Sequence, residues 1–227
     1  MASYTLIIGF SATDLKSFYA TGTNLVLANP VQGLTWPNVA WLVFQPLESN
    51  SVTWSTAYGL YASGVDVTPG AVLKTLSRYP APLTMGWQYT YLANGMFGPP
   101  QNIGLTAGVA VLDQYDNRSN KGYLTFGLNQ DATVNQSATT ANAVSAQGIV
   151  YQTAGTLIPS NTVCLWLQAG VVSNSVVQVV PGVVTCLTFS SGSTTQTLTY
   201  QSSTGQFVPT ANGISLGVVM DYRRKSA

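Results

Sequence analysis

Val39-Ala40-Trp41-Leu42-Val43-Phe44-Gln45-Pro46-Leu47-Glu48-Ser49-Asn50-Ser51-Val52 runs apolar, turns near Gln45-Pro46, and reopens into a second strand-like stretch. Apolar runs of this length, rich in valine and aromatics and closed by turn residues, read as β-strands. The same order returns at an offset of 124 in Val163-Cys164-Leu165-Trp166-Leu167-Gln168-Ala169-Gly170-Val171-Val172-Ser173-Asn174-Ser175-Val176. Each stretch is an apolar run, a turn, and Ser-Asn-Ser-Val opening the next run.

Working outward, Gly95-Met96-Phe97-Gly98-Pro99 resembles Gly205-Gln206-Phe207-Val208-Pro209, and residues 4–10 read like residues 122–128. Three matches in one order predict an all-β chain of two tandem, internally duplicated β-sandwich-like units, 1–117 and 118–227. Strands are expected near 4–10, 24–28, 38–45, 52–62, 103–113, 122–128, 147–152, 162–168, 175–180, 183–190, 194–201 and 214–222. At most one short helix is expected. Ser11 would cap it with Asp14 completing a capping box, Leu15, Phe18 and Tyr19 would form its apolar face, and Gly22 would end it. The corresponding stretch of the second unit, 129–140, is polar and lacks that face.

Composition points the same way. The 227 residues hold 48 Ser plus Thr and 25 Val but a single glutamate, Glu48. That is sheet chemistry rather than helix chemistry. Eight Lys or Arg stand against seven Asp or Glu, leaving a net charge of +1, too weak a field for nucleic acid. With no histidine, Ser-His-Asp and Cys-His catalytic units and imidazole metal ligands are excluded. No apolar run is long enough for a membrane-spanning helix. Residues 1–10 read as a first strand rather than a signal peptide, so a cytoplasmic location is expected, with Cys164 and Cys186 reduced. In an oxidising compartment the two could instead join neighbouring strands.

The chain has no P-loop, no dinucleotide fingerprint and no Gly-x-Ser-x-Gly elbow. Nothing pairs two of the seven acids as a glycosidase requires. Asp113 and Asp221 end corresponding strands and read as structural. Asp113, Asp116 and Asn117 make only a weak local cluster for a cation. Catalysis is therefore not expected, nor a cofactor serving it.

The unusual segment is Trp87-Gln88-Tyr89-Thr90-Tyr91. In a strand, Trp87, Tyr89 and Tyr91 share one face and form an aromatic stripe. The second half lacks it, whether Thr197, Thr199 and Gln201 or Gln196, Leu198 and Tyr200 are set opposite. The stripe reads either as a stacking surface for a flat guest or as a packed apolar face. Trp36, in a loop before a strand, could close such a site, whereas Trp41 reads as core.

The leaderless start Met1-Ala2-Ser3-Tyr4-Thr5-Leu6, the scarcity of charge and the Ser/Thr/Val/Trp/Tyr-rich body resemble the small cytosolic β-rich proteins of fungal fruiting bodies. That group includes lectins, pore-forming toxins and pigment proteins such as the pink chromoproteins of oyster mushrooms. The resemblance implies a non-covalently held organic chromophore or a glycan as partner.

Together these readings lead to a non-enzymatic binding protein that holds a small planar aromatic molecule by stacking on Trp87, Tyr89, Tyr91 and Trp36. The alternative is a lectin, with Asn94, Asn102 and Asn212 meeting sugar hydroxyls, and after it a pore-forming toxin. A surface so poor in charge also leaves room for a homo-oligomer.

Overall fold

The computed structural model describes residues 2–30, 37–116, 122–178, 180, 182–190 and 192–210, and the backbone of 219–221. The first half carries β1 (Ser3–Gly9), α1 (Ala12–Thr21), β2 (Thr23–Ala28), β3 (Val39–Ala40), β4 (Leu42–Phe44), β5 (Ser49–Ser55), β6 (Gly59–Ser63), β7 (Thr75–Tyr79), β8 (Trp87–Tyr91), β9 (Gln101–Asn102) and β10 (Val109–Asp113). The second carries β11 (Tyr123–Val134), β12 (Ser137–Ala143), β13 (Gln147–Val150), β14 (Ala154–Leu157), β15 (Thr162–Ala169), β16 (Ser175–Val176), β17 (Val183–Thr188), β18 (Thr195–Gln201), β19 (Gln206–Pro209) and β20 (Val219–Asp221).

The chain is all-β with one short helix. Among the described residues the strands form four sheets. The largest runs β19-β18-β1-β5-β11-β6-β7, with β12 and β13 also on β11; the others run β14-β10-β8-β9, β20-β17-β15-β2-β4 and β16-β3. Strands from both sides of residue 117 share every sheet, so the pairing does not display 1–117 and 118–227 as separate sandwiches. Each half leaves strand edges that the other fills.

The segments matched in sequence also take different places. Asn50 lies within β5 on the largest sheet, where its buried amide donates to the carbonyls of Ile8 (3.2 Å) and Leu47 (2.8 Å) and accepts from the Leu47 N–H (2.9 Å). Asn174 instead turns the chain at φ 66° ahead of the short ribbon strand β16.

Side-chain alternation explains the layering. In β1, Tyr4, Leu6 and Ile8 point into the main core while their neighbours are half-buried or exposed. The sheet holding β2 is buried on both faces: Leu25 and Leu27 enter the main core, Val26 and Ala28 a second cluster with Trp166, Val184, Cys164 and Cys186. Burial on both faces is why such strands read as unbroken apolar runs. Cys164 and Cys186 face each other across β15 and β17 and are joined by a disulfide, which corrects the expectation that they stay reduced.

The helix forms as its caps predict. Ser11 accepts the Asp14 N–H at 3.1 Å, and Gly22 closes the helix at φ 63°. Leu15 is buried and Phe18 packs on the core, but Tyr19 lies largely exposed, its hydroxyl donating to the Pro46 carbonyl at 2.9 Å. No described helix is long and apolar enough to cross a membrane.

Several strands differ from expectation. The run 52–62 breaks between β5 and β6, and 103–113 is strand only from Val109. The polar stretch 129–140 is a hairpin, not a decayed helix. Asn135 (φ 49°) and Gln136 (φ 69°) both take the left-handed backbone that a tight two-residue reversal requires.

Candidate functional site

Trp87, Tyr89 and Tyr91 stand on β8, which pairs in parallel with β10 and antiparallel with β9. They share a face as the period of two predicts, but that face is turned into the main core. Tyr89 packs edge-on against Tyr79 with centroids 4.8 Å apart, and its hydroxyl accepts the Thr84 N–H at 2.7 Å. Tyr91 meets Phe97 at 5.0 Å, Phe126 at 5.3 Å and Tyr115 at 5.6 Å. Tyr89 is 1% and Tyr91 2% exposed, so neither ring has a face to offer a guest. This corrects their assignment as a stacking platform: the driving force that buries apolar rings has used them for packing. Trp87 is half-buried at the rim of the same core. Trp36 lies outside the described residues.

The second aromatic set is also core. Trp41, fully buried, donates its indole N–H to the Gln130 carbonyl at 3.3 Å. Burial pushes the Tyr58 hydroxyl up to about 12. Tyr61 donates to the Ser145 carbonyl at 2.6 Å, and burial raises its pKa as well. It fits because Gly127 opposes it; a Cβ there would fall 2.6 Å from the Tyr61 ring.

Side chains available to a ligand gather instead where the chain reverses after β8. A depression of about 780 Å³ is lined by Leu92, Asn94, Leu112, Gln114, Tyr151 and Gln152, among others. Its floor is anchored by backbone hydrogen bonds. Leu92 N–H donates to Met96 O (2.9 Å), Gln114 N–H to Tyr91 O (2.8 Å) and Gln152 N–H to Asp113 O (2.7 Å). Asn94 Oδ1 accepts the Met96 N–H (3.1 Å), which leaves the amide NH₂ as a donor. Gln152 holds φ 60°, an unfavourable backbone for a residue with a side chain, fixed between β13 and β14.

Beneath this surface, Asp113 is buried at the end of β10 and accepts the Tyr115 N–H at 2.9 Å. Burial holds its carboxyl above the ordinary range, and that hydrogen bond only partly offsets the shift. Burial likewise raises the Tyr91 hydroxyl, with Tyr115 and Asp113 adding to the push.

Asn94 is thus brought to the site. Asn102 is on β9, its Oδ1 accepting the Gly104 N–H at 2.9 Å, and Asn212 lies outside the described residues. Gln114, Tyr151 and Gln152 were not singled out by sequence. Reading 147–152 as one strand hid the turn that exposes Tyr151 and Gln152. Among the described residues no group of three or more Cys, Asp or Glu is placed to hold a metal; Asn117, of the weak cation cluster, falls outside them.

The lining carries no charged side chain. Amides supply both donors and acceptors, and Tyr151, 37% exposed, presents part of a ring. Smaller cavities lie elsewhere among the described residues, including one of about 270 Å³ against Trp166, one of about 310 Å³ beside Phe44 and one of about 330 Å³ beside Tyr200. Set against protein-family models, curated proteins and solved structures, the chain shows no significant match to any.

Proposed function

We propose that the chain is a non-enzymatic carbohydrate-binding protein that takes a neutral sugar in the depression between Asn94, Gln114, Tyr151 and Gln152. The observation carrying this reading is an uncharged, amide-lined surface beside an exposed tyrosine ring. A sugar has hydroxyls that need donors and acceptors together, and a C–H face that rests on an aromatic ring. The absence of a cation from the lining favours neutral over sialylated or phosphorylated glycans. A glycan array tests it: neutral glycans should bind, and Tyr151→Ala or Gln114→Ala should weaken binding at least about tenfold, the loss of one good contact. Both residues are exposed, so thermal stability should stay unchanged. A blank array across neutral glycans overturns the reading.

A flat aromatic guest is the second reading, now away from the Trp87 stripe. The 270 Å³ cavity is bounded by Val72, Val172, Gln168 and Gln178, and a guest there would rest on the two valines, because Trp166 at its base is only 1% exposed. The absorption spectrum and mass spectrum of whatever leaves the native protein on denaturation decide it; a colourless, ligand-free preparation removes it. The bonded Cys164–Cys186 pair favours an oxidising compartment over the cytoplasm expected from sequence.

A further inference from the structure

Tyr91 and Phe97 form a bridge across one reversal of the chain; Tyr200 and Phe207 pair in register across another. Each reversal contains a glycine in the left-handed region, Gly95 at φ 76° and Gly205 at φ 71°. Each follows a strand that runs parallel to its neighbour, β8 beside β10 and β18 beside β1. Each also has a cavity at its tip, the second of about 330 Å³ and lined by Leu167, Val183, Tyr200, Ser202, Ser203 and Thr204, among others.

We infer that this second cavity is a second neutral-glycan site, so that one chain binds sugar at two separate places; the inference rests on the carbohydrate reading of the first. Tyr200 is half-buried and braced by Phe207 at 5.3 Å, Phe18 at 5.5 Å and Phe10 at 5.6 Å. A ring held from behind loses little freedom when a sugar settles on its open side. The turn is fixed as well: Thr204 Oγ1 accepts the Gln206 N–H at 3.3 Å, and the Gly205 N–H donates to the Gln201 carbonyl at 2.8 Å. Ser202 and Ser203, both exposed, add hydroxyls that can donate and accept. As at the first site, no charged side chain lines the cavity. Burial, and then Asp14 of α1, raise the Tyr200 hydroxyl above its ordinary value. Two sites in different sheets let a single chain bridge two glycans, and avidity on a glycan-coated surface then exceeds that of either site alone.

The test is amide chemical-shift titration and calorimetry of the full chain with lactose, maltotriose, cellotriose, chitotriose and mannotriose in turn. Expected is at least one sugar that moves amides at 92–94, 114 and 151–152 and also at 202–205, with roughly two sugars bound per chain. Ser203→Arg, on an exposed turn, should abolish the second set of shifts and halve the stoichiometry while leaving the first set. Tyr151→Ala should do the reverse. Shifts confined to 92–94, 114 and 151–152, with roughly one sugar per chain, overturn the second site and leave the carbohydrate reading standing; shifts confined to 202–205 overturn the first site instead. No shifts with any of the five, joined to a blank array, overturn the carbohydrate reading itself.

Discussion

Tyr91 meets Phe97 with ring centroids 5.0 Å apart, and Tyr200 meets Phe207 at 5.3 Å, each pair closing a glycine-containing reversal. The burial is distributed in opposite ways. In the first reversal the tyrosine is buried and the phenylalanine half-buried; in the second Phe207 is 1% exposed and Tyr200 is half-buried. The first therefore spends its aromatic surface on the core and takes an exposed ring from a distant turn, at Tyr151. The second leaves its own tyrosine only half-buried, in the wall of its cavity. The difference teaches that a shared Tyr–Phe reversal sets local geometry, while the neighbouring sheet decides which ring remains for binding.

The sharpest way to break this comparison is to remove each phenylalanine in turn. Phe207→Ala should cost about 3–5 kcal/mol, the range for deleting a fully buried ring, because Phe10 and Tyr200 lose the group between them. Phe97→Ala should cost less, about 2 kcal/mol, since Phe97 is only half-buried. Urea unfolding measures both. Equal losses, or the reverse order, would show that the two reversals divide their burial differently from the contrast drawn above.

Next in size is the disulfide, which touches one reversal and not the other. Phe207 donates its N–H to Thr185 Oγ1 at 3.1 Å, and Thr185 precedes Cys186 on β17. Among the described residues no such hydrogen bond joins β8 to the strands of the bonded cysteines. With a sequence separation of 22, the crosslink contributes about 3 kcal/mol on the chain-entropy model. The double variant Cys164→Ala, Cys186→Ala should lose about that much, and amide exchange at 206–208 should quicken more than at 87–91. Uniform quickening would uncouple the second reversal from the crosslink.

What sequence could foresee follows the same division. Alternation in Tyr4, Leu6 and Ile8 and the caps at Ser11 and Gly22 are local, and the structure keeps them. The stripe at Trp87, Tyr89 and Tyr91 was legible as one face of a strand. Periodicity carries no sign of whether that face meets water or Phe97 and Phe126. The second half of β11 was hidden for the converse reason: Asn129 and Gln130 are polar yet buried, and Gln130 Nε2 finds the Ser55 carbonyl at 2.6 Å, a partner 75 residues away. Of the proposed site only Asn94 was visible in advance. Gln114 and Tyr151 line one depression because the link between β13 and β14 crosses from one sheet to another, and no short-range pattern records that.

The smallest effect is electrostatic and belongs to the first reversal alone. Asp113 lies buried beneath it, and burial raises its folded pKa above the ordinary 3.8. Between that value and the raised one, the folded chain binds more proton than the unfolded chain. Stability contributed by this group is therefore full below the unfolded pKa, falls as pH rises through the window, and is level above it. Asp113→Asn keeps an oxygen to accept the Tyr115 N–H but cannot ionise. Its melting temperature, followed from acid to neutral pH, should lack the wild-type decline across the window, so the gap between the two proteins should widen as pH rises and then hold constant. If the two curves stay parallel, the carboxyl is solvated through the floor of the depression. The amide-lined site would then rest on a wet, charged support rather than a dry one.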